Sequence, residues 1–144
     1  MKITLVLPLP PKELSPNAST PWSANARWFH VNARKQYRRD VGIESMGKLM
    51  GSGTAGTWQR FLKEKPRLRL TETYRFADKR KRDVRNLFAA FKAGEDGLVD
   101  ASILPGDDDS VLEHGAPRIE RVKTKAEEGV LVEIEEIACH LQRG

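Results

Sequence analysis

A charged segment between a predicted strand and a predicted helix carries the residue types that bind phosphates and metal ions. Four consecutive cations are Lys79, Arg80, Lys81 and Arg82. Asp83 follows them directly, and Asn86 stands three positions later. Cationic side chains neutralise phosphodiester oxygens, and the start of a helix offers backbone N–H groups to a phosphate. An acid beside four cations is tolerated if it holds a metal ion, so the segment predicts a phosphate site with one metal ligand.

Three adjacent acids form a second candidate site. Asp107, Asp108 and Asp109 follow Gly106 directly. Like charges about 4 Å apart cost about 1 kcal/mol in water and more at lower dielectric, and a hard divalent cation removes that cost. The triplet lacks the alternating acids and the twelfth-position Glu of an EF-hand loop. Taken alone, it is explained more simply as an exposed acidic loop.

Together the two segments supply carboxylates for Mg²⁺ inside a field that attracts phosphate, which is the layout of a nuclease. In metal-assisted phosphodiester hydrolysis the ions activate the attacking water and stabilise the leaving oxygen. A lysine stabilises the charge that develops on the phosphate, and Lys92, downstream of Asp83, is the candidate for that role.

The distribution of charge along the chain agrees with this layout. The net charge of the 144 residues is only +5. Residues 60–92 contain twelve basic and four acidic side chains, a net +8, whereas residues 95–113 contain seven acids and no Lys or Arg. Two opposed blocks side by side are typical of a protein that holds both a polyanion and a cation, although two solvated faces that segregate by chance remain an alternative.

The elements that must position these residues belong to one domain, residues 1–144. The β-branched and apolar run at residues 2–7 predicts a strand that ends at Pro8, and apolar residues at helical spacing predict a helix from about Asn32. The small residues of 51–57 predict a flexible loop within the domain rather than a boundary.

The second half of the chain predicts a strand, a helix and a hairpin. Apolar and basic residues alternate over Pro66 to Phe76, and helical spacing follows from Val84 to about Ala101, with breaks expected near Gly94 and Gly97. Residues 118–122 and 130–134 are expected to pair as a hairpin. The sequence order β-α-β-α-β-β predicts an α/β (α+β) fold, a mixed β-sheet with helices packed on it.

Several classes of protein are excluded. The single cysteine, Cys139, forms neither an internal disulfide nor a Cys-based zinc site, and this predicts a cytoplasmic protein. No apolar stretch approaches the ~18 residues that cross a bilayer, so no membrane partner is expected. The three histidines have no metal-ligand spacing and are assigned no role; they are His30, His114 and His140.

The chain resembles the RusA-type Holliday junction resolvases over most of its length. The matching stretches are residues 9–11, 15–17, 82–87, 96–101 and 107–109. Of these, residues 82–87 and 96–101 are the specific ones. The resemblance implies a small Mg²⁺-dependent endodeoxyribonuclease of recombination and repair, with Mn²⁺ as an alternative ion, in the cytoplasm of a bacterial or phage-infected cell. It also implies an intertwined or closely packed homodimer whose substrate is a DNA four-way junction or other branched DNA.

The resemblance carries over to individual residues. Asp83 matches the first Asp of the family's Asp-x-Asp-Asn motif and Asn86 matches its Asn, while Asp109, or alternatively Asp108, matches the later metal-binding Asp. These matches imply that metal is bound by Asp83 and by Asp108 or Asp109, and that Asp83, Asp109 and Lys92 are catalytic. They further imply that DNA is bound by Lys79, Arg80, Lys81, Arg82 and Asn86.

Arg85 departs from the family pattern because it stands where the second Asp of the motif belongs. A guanidinium does not ligate Mg²⁺, and beside Asp83 it is expected to compete for that carboxylate as an ion pair. Three outcomes stay open: Asp78 or Asp96 replaces the missing ligand, the site uses one metal at a reduced rate, or the protein binds branched DNA without cutting it. An RNA- or protein-binding module that needs no metal is a weaker alternative.

The departure at Arg85 generates a prediction. Replacing Arg85 by Asp restores the expected carboxylate, so Arg85→Asp should raise Mg²⁺-dependent cleavage of a synthetic four-way junction, measured as nicked product on a denaturing gel. Unchanged cleavage would mean that the Asp-x-Asp interpretation is wrong for this chain.

Overall fold

The strand at the centre of the fold arises from alternating apolar residues in the middle of the chain. The computed structural model describes residues 1–15, 24–106, 108 and 110–137. In it, strand β2 spans Leu68–Phe76 and buries Leu68, Leu70, Tyr74 and Phe76. The prediction of a strand here is confirmed, with a start two residues later than Pro66.

Five strands form one open mixed sheet around β2. The others are β1 (Lys2–Leu7), β3 (Leu112–His114), β4 (Arg118–Arg121) and β5 (Gly129–Glu136). Strand β5 lies between β1 and β2 and is antiparallel to both. Strands β3 and β4 run parallel to β2 along its other edge, β3 beside Leu68–Leu70 and β4 beside Thr73–Phe76. The expectation of a mixed sheet with helices is therefore confirmed, with one more strand than the sequence indicates.

The predicted hairpin is wrong. Strands β4 and β5 both pair with β2, on opposite edges, and not with each other. The reason lies in their composition: Val130, Val132 and Ile134 of β5 are fully buried between two neighbouring strands, whereas all four residues of β4 are exposed. The connection between them continues past the end of β2, where the Val122 N–H donates to the Phe76 carbonyl at 2.9 Å.

In the described residues, two α-helices precede β2. Helix α1 spans Ala24–Gly51, so it begins earlier than the predicted Asn32. The expected loop at 51–57 is shorter in the structure, because helix α2 begins at Ala55 and continues to Leu62. Trp58 anchors α2: its side chain is fully buried, and its indole N–H donates to the Ile103 carbonyl at 2.8 Å.

Two further helices connect β2 to β3. Helix α3 spans Val84–Ala90 and α4 spans Lys92–Asp100, so a division of this region into two helices is confirmed. The break falls at Phe91 and not at a glycine. The buried Phe91 ring packs edge-on against Tyr37 and Tyr74, with centroid separations of 6.2 and 6.5 Å, which places both helices against the sheet.

Close packing of α1 on α4 explains a glycine inside α4. A Cβ atom at Gly97 would collide with the carbonyl oxygen of Arg38, so only glycine lets the two backbones approach this closely. The Arg38 guanidinium also binds Asp100 at 2.5 and 2.8 Å at the end of α4. In the described ranges, no helix is both long enough and apolar enough to span a membrane.

Candidate nucleic-acid interface

The candidate interface is the segment that leaves the C-terminal end of β2, residues 78–83, here called the basic loop. Lys79, Arg80 and Lys81 are exposed. None of their side chains makes an ion pair with another residue in the described part of the chain. Three adjacent cations whose side chains form no ion pair with a described residue are available to an external anion, and phosphate oxygens are the anions that such clusters bind.

Arg82, the fourth cation, is held within the loop. Its guanidinium donates to both carboxylate oxygens of Asp78, at 2.7 and 2.9 Å, and it lies over the Phe76 ring, 3.6 Å from the centroid. The hydrogen bond from Arg82, together with the Arg80 backbone N–H, lowers the pKa of Asp78 to about 2. Asp78, one of the alternative metal ligands, would therefore have to release Arg82 before it could bind a cation.

Asp83 caps the helix that follows the basic loop. Its carboxylate Oδ1 accepts the Arg85 backbone N–H at 2.8 Å, and its backbone carbonyl accepts the N–H groups of Asn86 and Leu87 at 3.1 and 3.3 Å. The N–H groups of Arg85 and Asn86, which the sequence analysis expects to be offered to a phosphate, are therefore used by Asp83 itself in this structure. The expected ion pair between Arg85 and Asp83 is also absent: the Arg85 side chain is exposed, and it pairs with no acid in the described ranges.

The other two residues expected on this side lie further along the helices. Asn86 is half-buried in the first turn of α3. Lys92 is the first residue of α4, and its ammonium lies 3.6 Å from Asp96, so Asp96 also has a cationic partner. A small cavity next to Lys92 is lined by Arg34, Asp96 and Leu14 among others. Lys92 and Arg34 thus add positive charge beside the α3–α4 junction.

Only part of the acidic triplet can be placed. Asp107 and Asp109 lie outside the described residues. Asp108 is exposed; its Oδ1 accepts the Ser110 N–H at 2.8 Å, and its carbonyl accepts the N–H groups of Val111 and Leu112. Leu112 pairs with Leu68, so Asp108 precedes the strand that flanks the beginning of β2, whereas the basic loop leaves its end.

The described residues do not by themselves form a metal centre. Within them, no three His, Cys, Asp or Glu side chains come together in a group that could hold a metal ion. Asp83 is nevertheless a suitable single ligand, because its carboxylate is exposed and only Oδ1 is engaged by a described residue. Mg²⁺ is commonly held by one or two carboxylates together with waters and substrate phosphate, so Asp83 fits that ion as one member of a set.

A polar cluster formed by side chains of β2, α4 and β3, buried apart from the exposed His114, was missed by the sequence analysis. The Tyr74 hydroxyl donates to Glu72, and the His114 Nε2 lies 3.0 Å from both carboxylate oxygens of Glu95. Glu72 and Glu95 are only 2% and 3% exposed. Phe88 of α3 packs edge-on against His114, with the centroids 5.6 Å apart. The cluster therefore lies against the same helix that Asp83 caps.

Burial raises the pKa of Glu72 to about 8, and the charge of Glu95 adds to the shift while the Tyr74 hydrogen bond opposes it. Glu72 lies in one row across the sheet with Val132 and Leu5, on the face that packs against the core. The signal in the sequence was an acid at an apolar position of the β2 alternation, between Leu70 and Tyr74.

No protein-family model matches this chain, and no curated protein matches its sequence. The similarity to the RusA-type resolvases therefore depends on the motifs of this chain alone. Membership of that family stays a prediction.

Glu72 should make stability depend on pH. Its pKa is raised on folding from an ordinary 4.5 to about 8, so the folded state holds a proton that the unfolded chain loses, and stability falls as pH rises through this interval. Glu72→Gln removes this dependence and keeps an oxygen for the Tyr74 hydroxyl. Between pH 5 and 8, the free energy of unfolding measured in urea should rise for the variant relative to the wild type. The difference should exceed about 1.4 kcal/mol, the equivalent of one pKa unit.

Glu44→Gln is the matched control, since Glu44 is an exposed carboxylate of α1. Its unfolding free energy should run parallel to that of the wild type over the same pH range. If Glu72→Gln also ran parallel to the wild type, the burial account of Glu72 would be contradicted.

Proposed function

We propose that this protein is a structure-specific endodeoxyribonuclease that binds a DNA four-way junction or related branched DNA and hydrolyses its phosphodiester bonds with Mg²⁺, or with Mn²⁺ in its place. The observation that carries the proposal is the order of side chains after the end of β2. Three cations that form no ion pair with a described residue come first, Arg82 bound to Asp78 follows, and Asp83 comes next with one carboxylate oxygen not engaged by a described residue. Cations that attract a phosphate chain directly beside a carboxylate that suits Mg²⁺ are the requirements of metal-assisted phosphodiester hydrolysis.

The basic loop performs the binding step. Its shape is set by the Asp78–Arg82 pair and by the stacking of Arg82 on Phe76, so the loop is ordered before DNA arrives. Lys79, Arg80 and Lys81 then contact phosphate oxygens with little further ordering of the backbone. A binding surface that is ordered in advance loses less conformational entropy when it binds its partner.

Asp83 is the metal ligand in this segment. Its cap on α3 fixes Oδ1 against the Arg85 N–H and leaves Oδ2 for a ligand. Asp83 would supply one carboxylate to the ion, which when bound activates water and stabilises charge on the phosphate. The resemblance assigns a second carboxylate to Asp109 or Asp108, and this proposal requires the triplet to approach Asp83 from the strand beside the beginning of β2. The ammonium of Lys92 is 3.6 Å from Asp96, a distance long enough for it to exchange that contact for a phosphate oxygen.

The proposed enzyme is a homodimer in the cytoplasm. Two copies related by a two-fold axis would present two such sites, and this symmetry suits a four-way junction, whose strands exchange in pairs.

A non-catalytic branched-DNA-binding protein of the same fold is the second candidate. Two observations favour it. Arg85 occupies the position of an expected carboxylate, and in the described part of the chain no cluster of metal-binding side chains forms. In this alternative the basic loop binds phosphates, and Asp83 serves only as the helix cap.

The two functions are separated by an assay of binding and cutting. Labelled junction, linear duplex and single strand are incubated with the pure protein in Mg²⁺, in Mn²⁺ and in EDTA. Metal-dependent nicking confined to the junction supports the enzyme. Tight binding of the junction without nicking supports the second candidate, and no binding of any of the three substrates contradicts both.

Asp83→Asn should abolish nicking and leave junction affinity near that of the wild type. Asparagine is as good a helix cap as aspartate, so the loop and α3 stay folded, but its amide is a much poorer magnesium ligand than a carboxylate. Asp40→Asn, on α1, is the control and should cut normally. Undiminished nicking by Asp83→Asn would contradict the role given to Asp83.

A further inference from the structure

Strand β4 is unusually exposed for a member of the sheet. It pairs with β2 along one edge, and no other described strand pairs with its second edge. All four of its residues, Arg118–Arg121, are exposed, so neither face of the strand is covered by a helix. An open strand edge attracts other chains unless charge protects it, and β4 carries an arginine at each end.

In the described part of the chain, the cations at the end of β4 and just after it have no ion-pair partner. Arg121 and Lys123 are exposed, and neither side chain makes a hydrogen bond or ion pair with a residue of the described ranges. The single acid in the strand, Glu120, is paired with Arg75 at 3.2 Å. The positive charge of β4 is therefore not neutralised from within the strand.

The register of β4 places Arg121 beside the basic loop. Arg121 pairs with Phe76, the residue whose ring carries the Arg82 guanidinium. Neighbouring strands lie about 4.8 Å apart, and directly paired residues project to the same face of a sheet. Arg121 thus shares the face on which Arg82 lies, whereas Arg118, three positions earlier, belongs to the opposite face.

We propose that Arg121 and Lys123 form a second phosphate-binding surface that continues the basic loop and follows the backbone of one duplex arm. The inference rests on the proposed function, because it takes DNA as the partner. It extends the contacts beyond residues 79–82 to a strand distant in sequence. Together the two segments supply five exposed cations whose side chains form no ion pair with a described residue: Lys79, Arg80, Lys81, Arg121 and Lys123.

Charge favours a polyanion over a second copy of this chain at the open edge. Two copies that met along this edge would each bring two arginines and only one acid, Glu120, which is already paired with Arg75. Phosphates instead neutralise Arg121 and Lys123 and release counterions, which is the main source of non-specific DNA affinity.

The test compares exposed cations on the two faces of the same segment. The affinity of a synthetic four-way junction is measured in EDTA at several salt concentrations for wild type, Arg121→Gln/Lys123→Gln and the control Arg118→Gln. Loss of two phosphate contacts should weaken binding by the double variant and reduce the slope of log affinity against log salt by about 2. Arg118→Gln should retain the wild-type slope.

Three results would contradict this proposal. The first is a wild-type salt slope for the double variant, and the second is an equal reduction of the slope by Arg118→Gln. The third is a change in the oligomeric state of the double variant, measured by sedimentation, without a change in DNA affinity, which would make the edge a subunit interface. In each of these cases wild-type binding and metal-dependent nicking would leave the proposed function standing. Absence of any junction binding by the wild type would instead remove both proposals.

Discussion

The hydrogen bonds that β2 makes along both of its edges hold the rest of the structure in place. β5 pairs with β2 from Leu68 to Arg75 on one side, and β3 and β4 divide the other side between them. This pairing fixes the point at which the basic loop leaves the sheet and the position of Arg121 next to it. It also presents Tyr74 to Phe91, which seats α3 and α4 against the sheet. A single strand therefore positions both segments to which phosphate binding is assigned.

The same strand carries a buried acid. Glu72 occupies a core position between Leu70 and Tyr74, and burial favours its protonated form, with a pKa of about 8. Its neighbour Glu95 is held by His114, against which Phe88 of α3 packs. These contacts connect the polar interior to the helix that Asp83 caps, so the protonation of Glu72 bears on the stability of the framework beneath the proposed site.

Local patterns in the sequence predicted the local structure well. The limits of β1 follow from an apolar run that ends at a proline, and the course of β2 follows from alternation. Two helices in residues 84–100 were predicted, but their break was expected near Gly94 and Gly97 and lies at Phe91. The hairpin prediction was wrong because β5 pairs with β1 and β2, where its apolar side chains are buried at the centre of the sheet. This pairing depends on strands that are distant in the sequence. The cap formed by Asp83 had a readable signal, since Asp is a preferred residue at that position. The Arg82 side chain is held by Phe76 as well as by Asp78. Its contact with the ring of a strand residue cannot be inferred from the spacing of residues in the sequence.

Neutralising the cations where β2 ends should reduce the salt dependence of DNA binding, because each phosphate contact releases counterions. Junction affinity is measured in EDTA across a range of salt concentrations for the wild type and for Lys79→Gln/Arg80→Gln/Lys81→Gln, with the double replacement Arg60→Gln/Lys63→Gln at the end of α2 as control. The slope of log affinity against log salt should be smaller by about 3 in the loop variant and unchanged in the control. Equal slopes in wild type and loop variant would contradict phosphate binding by these cations.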